Sequence, residues 1–130
     1  MLAKWLPPDR AREPESTVDP GPIEPIDYPS LLRRCMRKPE LAALLVRKLV
    51  QQAEKDLLAL ASAINQNDAA GLAASAHRLK GAAANVSAEA LRQAAAELET
   101  LGRNGSTAGA SAWLARSQQE LARLKAWQQP

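Results

Sequence analysis

Phenylalanine is absent from this chain, aromatic residues make up 3% of it, and there is one cysteine and one histidine. A sheet core without large flat side chains would be hard to fill, so the shortage of aromatics favours close-packed helices built on Ala and Leu. A single cysteine, Cys35, excludes an internal disulfide and suits a thiol-bearing intracellular protein, its plainest role being that of a small apolar side chain. No apolar run approaches the roughly 20 residues needed to span a bilayer, and the N-terminus lacks the basic-then-apolar order of a signal peptide, so a cytoplasmic chain without direct membrane contact is expected. One histidine and a distant cysteine cannot supply the three or four ligands of a zinc site, so no metal is expected.

What is present divides the chain in two. Seven of the nine prolines lie between Pro7 and Pro29, in a stretch where missing backbone donors and fixed φ disfavour helix. The reading is a proline-rich linker over residues 1–25, preceded by a short "MLAKWL" too small to fold alone, then one domain over residues 26–128. Charge divides the same way. Residues 1–30 carry three Lys/Arg against six Asp/Glu, a net of −3, and residues 31–130 carry fourteen against eight, a net of +6. The folded part should therefore favour an acidic partner surface.

Apolar residues in the second part recur at helical spacing. Pro39 suits a first turn, and Ala42, Leu45, Leu49, Ala53, Leu60 and Ile64 share one stripe of a long helix over roughly 39–66. Asn67 or Asp68 caps a second helix running to about Val86. Ser87 caps a third, striped by Leu91, Ala94, Ala95, Leu98 and Leu101, and "GRNGSTAG" reads as a turn. A last helix over about 110–127 places Trp113, Leu114, Leu121, Leu124 and Trp127 on one side, which makes the two tryptophans core or seam residues. With a short leading helix around "YPSLLRRCM", the expectation is an all-α antiparallel four-helix bundle with an additional N-terminal helix.

The histidine lies in the second helix, in "SAHRLKGAAANVSA". With about 100° per residue, Leu72, Leu79 and Val86, flanked by Ala76 and Ala83, define the core side, and His77 points away from it. Its own face carries Ala73, Ala74, Gly81 and Ala84, all small, with Lys80 one turn on. A mid-helix glycine costs about 1 kcal/mol relative to alanine, so close approach of another molecule is one reason for Gly81. A left-handed helix cap is the other. No nucleophile elbow and no phosphate-cradling G-x-x-x-x-G-K-[ST] loop occur, which argues against a hydrolase and against ATP binding. What remains is His77 as a nucleophile toward a phosphoryl group delivered by another protein, with Lys80 stabilising the transferred oxygens.

"AHRLKGAAANVSA" resembles the H-x-L-K-G signature of histidine-containing phosphotransfer domains of multistep phosphorelays, and the likeness extends more loosely from about Ile26 to Trp127. The resemblance implies that His77 is phosphorylated, that Lys80 assists, and that Gly81 keeps a docking surface clear, with Ala73, Ala74, Arg78, Ala84 and Asn85 completing that surface. Ser87 stands where many members have glycine. Members often carry a polar residue on the next helix within reach of the histidine. His77 lies ten residues before Ser87 and Glu99 twelve after, so an antiparallel hairpin brings them level and Glu99 is expected to orient the imidazole, the alternative being a solvated carboxylate.

The implied partners are receiver domains of response regulators or hybrid sensor kinases. The module should need no cofactor of its own, Mg²⁺ being expected on the partner receiver, and should act as a monomeric phosphotransfer intermediate without kinase activity. "MLAKWLPP" resembles the tail of a receiver's last helix, which would make this chain the C-terminal module of a hybrid sensor kinase or similar protein. The alternative from another class is a non-catalytic helical adaptor that tolerates loss of His77. Nucleic acid is not expected as a partner, because the basic residues are scattered over every helix.

Overall fold

A computed structural model describes residues 24–130, and within them the chain forms five helices and no strand. The proline-rich stretch and "MLAKWL" expected over residues 1–25 fall almost entirely outside the described residues. The helices are α1 (Tyr28–Arg34), α2 (Pro39–Asn65), α3 (Ala69–Asn85), α4 (Glu89–Arg103) and α5 (Ala110–Ala126). Among the described residues, no helix is long and apolar enough to cross a membrane.

Local chemistry sets most of the helix starts. Pro39 opens α2, where a missing N–H is harmless. The Asp68 carboxylate accepts from the Gly71 N–H at 2.9 Å and caps α3, while Asn67 before it takes a left-handed φ of 54°. The Asp27 carboxylate does the same for α1, accepting from the Ser30 N–H at 3.3 Å.

The turn between α3 and α4 departs from expectation. Ser87 makes no capping bond; it sits at φ 57°, Ala88 occupies the cap position, and the Ser87 hydroxyl is buried with no partner among the described residues. The reversal of direction needs one residue in the left-handed region, which glycine adopts without steric cost. The glycine-rich turn after α4 also begins later than its composition suggests, because Gly102 and Arg103 are still helical.

The four long helices close a ring: α3 packs on α2 and α4, and α5 on α4 and α2. Their apolar stripes meet inside. Leu60, Leu72, Leu79, Leu91 and Leu98 are fully buried, each contributing about 1.5–3 kcal/mol relative to exposure. Leu45, Ile64, Leu101, Trp113, Leu114 and Trp127 pack partly buried at its margins, so both tryptophans are seam residues as their phase requires. Trp127 stacks at a tilt on Tyr28, with ring centroids 5.8 Å apart, and Cys35 is a buried apolar filler.

Among the described glycines, Gly102 is the one whose Cβ would strike the backbone of another helix. A Cβ there would lie 2.6 Å from the Ala69 carbonyl oxygen and from the Ala73 nitrogen. The backbones of α3 and α4 therefore approach directly at this point, and the approach fixes the height of α4 relative to the histidine helix. At the other end of the hairpin, α1 is tied to the turn: the Asp27 N–H donates to the Ser87 carbonyl at 2.9 Å, and the Arg34 guanidinium donates to the Ala84 carbonyl.

Candidate functional site

Helical phase turns His77 outward. With core residues Ala76 and Leu79 buried on the far side, the imidazole stands 64% exposed on α3. Gly81 lies within α3, one turn further on, and does not adopt a left-handed φ, so it is not a cap. A Cβ at Gly81 would meet nothing within 4 Å, which means that no contact inside the protein requires glycine there. Ala74, Gly81 and Asn85 are exposed beside the histidine, and Ala73 and Ala84 partly so. Ala73 sits at the seam with α4, against Gly102.

One carboxylate organises the α4 side of this surface. Glu99 is 4% exposed, and its Oε2 lies 2.8 Å from His77 Nδ1. Lys80 Nζ lies 2.5 Å from the other oxygen, Oε1, and Arg103 Nη2 lies 2.7 Å from Oε2. The hydrogen bond from Lys80 holds the Glu99 carboxyl below the usual carboxylate range; burial opposes it, and the His77 hydrogen bond and the Arg103 charge assist. Glu99 is therefore ionised near neutral pH and can only accept. In the neutral imidazole the proton must then sit on Nδ1, leaving the Nε2 lone pair directed away from the bundle, with no partner among the described residues.

Lys80 thus reaches the same carboxylate that holds the imidazole, rather than standing free. Arg78 turns the opposite way, toward α2: its Nε pairs with Asp56 Oδ1 at 3.5 Å, and Nη2 donates to the Ser75 hydroxyl at 3.2 Å. Two residues of this network were not evident in the sequence. Arg103 carries a recognisable signal, a Glu-x-x-x-Arg pair one turn apart on a helix. Asp56 carries none, because a carboxylate in an apolar stripe reads as an interruption rather than as a partner.

A four-helix bundle that offers one exposed, carboxylate-held histidine on a surface of small side chains and cations defines a class of protein: a carrier whose chemistry is completed by a docking partner. The model of the Hpt domain family matches residues 44–127, and the chain belongs to that family. It is a histidine phosphotransfer module of a phosphorelay, and its partners are receiver domains. Among solved structures the fold is similar to the crystal structure of histidine-containing phosphotransfer protein B from Pseudomonas aeruginosa PAO1, with 26% identity and a TM-score of 0.72, covering 78% of this chain and 89% of that one. A sequence search of curated proteins gives no match.

Proposed function

We propose that His77 Nε2 is the atom that carries the phosphoryl group. The observation that supports this is an exposed imidazole whose Nε2 has no partner among the described residues and whose Nδ1 is held at 2.8 Å by a buried, ionised carboxylate. In the forward step the Nε2 lone pair forms a bond to phosphorus. The bond from phosphorus to the donor aspartate oxygen breaks, and its electron pair returns to that carboxylate. The Nδ1 proton stays where it is, hydrogen-bonded to Glu99, which favours the positive charge that the ring acquires. Lys80 turns its ammonium from Glu99 to the phosphoryl oxygens. Passing the group to the aspartate of a second receiver is the same step reversed.

The small side chains at 73, 74, 81 and 84 let the rim of a receiver site settle within the roughly 3–3.5 Å that in-line attack needs. Arg78, Asn85 and the cations around Glu99 meet the acidic receiver pocket, where Mg²⁺ belongs to the partner. The receivers are those of response regulators or hybrid sensor kinases. The module has no kinase activity of its own and works in the cytoplasm as a monomer, without nucleic acid or direct membrane contact. In support, the helical stripes bury one another, and some cations remote from His77 are paired with acids: Arg92 with Glu89 and Lys125 with Glu54.

The test is to incubate the protein with a phosphorylated receiver. An acid-labile, base-stable phosphoryl group should appear on the wild type and be absent from His77→Gln; equal labelling of the variant would overturn the reading.

A further inference from the structure

Asp56 is a buried carboxylate that the phosphotransfer chemistry above does not use. It lies in the inward stripe of α2, 2% exposed, among positions otherwise held by Ala, Val and Leu. Its Oδ2 is buried with no hydrogen-bond partner among the described residues, and its Oδ1 is shared between Gln52 Nε2 at 3.1 Å and Arg78 Nε at 3.5 Å. An ion so placed is expensive in a helical core, where an apolar residue of similar volume would be neutral or stabilising. Folding alone gives no reason to keep it.

The reason lies one residue from the histidine. Arg78 is anchored at two points, at Nε by Asp56 and at Nη2 by the hydroxyl of the buried Ser75, yet its side chain remains 55% exposed. Nη2 gives one hydrogen bond to Ser75 and Nε lies in ion-pair range of Asp56, leaving the Nη1 donors with no partner among the described residues. On the other side of His77, Lys80 is held by Glu99 in the same manner. The imidazole therefore stands between two cations, each fixed by a buried carboxylate from a neighbouring helix.

We propose that Asp56 is a positioning residue for receiver docking: from inside the bundle it holds the Arg78 guanidinium as a rigid fork that takes a carboxylate on the rim of the receiver. An arginine already ordered loses less side-chain entropy on binding, and its planar donors match a carboxylate. Asp56 thereby affects how well a receiver is held, with little effect on the rate once it is bound. The inference rests on His77 as the transfer site.

The test is a double-mutant cycle with Asp56→Asn and Arg78→Gln, reading KM and kcat of transfer from one phosphorylated receiver, with His77→Gln as the control. Each single variant should raise KM on the order of fivefold with kcat little changed, and the double variant should be no worse than either. Additive effects, or an Asp56 variant with unchanged KM, would overturn the inference. Asp56→Leu separates positioning from structure: it should match or exceed the wild type in thermal stability and still raise KM. If it instead restores the wild-type KM, Asp56 acts only on the fold. Labelling of the His77→Gln control would count against the transfer site itself, independently of the cycle.

Discussion

Glu99 Oε2 lies 2.8 Å from His77 Nδ1 and 2.7 Å from Arg103 Nη2, so the carboxylate paired with the imidazole is itself held from its own helix. Glu99→Gln keeps the shape but gives up the charge that fixes the Nδ1 proton. Transfer from a phosphorylated receiver should slow by roughly tenfold to a hundredfold, the scale of a misoriented reacting group. A rate within twofold of wild type would remove Glu99 from the site.

The same residue predicts a pH dependence of stability. Its pKa is lowered in the fold, first by the Lys80 hydrogen bond. The associated stabilisation is fully present above the ordinary carboxylate range of the unfolded chain and is lost as pH falls through the lowered folded value. Denaturation series taken from neutral pH downward should show the wild type losing stability through this acid window more steeply than Glu99→Gln. Parallel curves would contradict it.

Gly81 should separate stability from function. With open space around a Cβ, Gly81→Ala should stabilise the protein by about 0.5–1 kcal/mol through helix propensity. Larger residues such as Gln or Trp at this position should leave the melting temperature near wild type and progressively weaken receiver binding. The comparison of thermal melts with receiver affinity across the series checks both halves.

Gly102 should behave in the opposite way. A Cβ would meet the backbone of Ala69 and Ala73 at 2.6 Å, and backbone has nowhere to move. Gly102→Ala should destabilise by about 1–3 kcal/mol in denaturant titrations. It should also slow transfer, because Glu99 sits one turn earlier on the displaced helix.

Ser87 combines a left-handed φ of 57° with a buried, unpartnered hydroxyl. Ser87→Gly removes both, and should raise stability by about 1 kcal/mol with transfer unchanged. A destabilised variant would show that the hydroxyl has a role in the turn.

The contrast between these positions explains what the amino-acid order reveals. Periodicity exposes any residue whose role follows from its own helix: the buried faces of α2 to α5, the outward phase of His77, and the Asp68 cap. The level of Glu99 followed from counting along an antiparallel hairpin, which works because helices rise uniformly. Ser87 misleads because serine is a common cap, and only the backbone path shows that the position needs a left-handed residue. Gly102 reads as part of a glycine-rich turn because its neighbours are turn residues, although what it serves is contact with another helix. Asp56 and Arg78 meet across α2 and α3, and no local spacing records a pairing between separate helices.

The most direct measurement of the central claim is the site of attachment in protein phosphorylated by a receiver, read from nitrogen–phosphorus couplings in NMR of the imidazole. A single phosphorylated histidine is expected, His77, bonded through Nε2 with Nδ1 still protonated toward Glu99. Phosphorus on Nδ1, or on any residue other than His77, would contradict it.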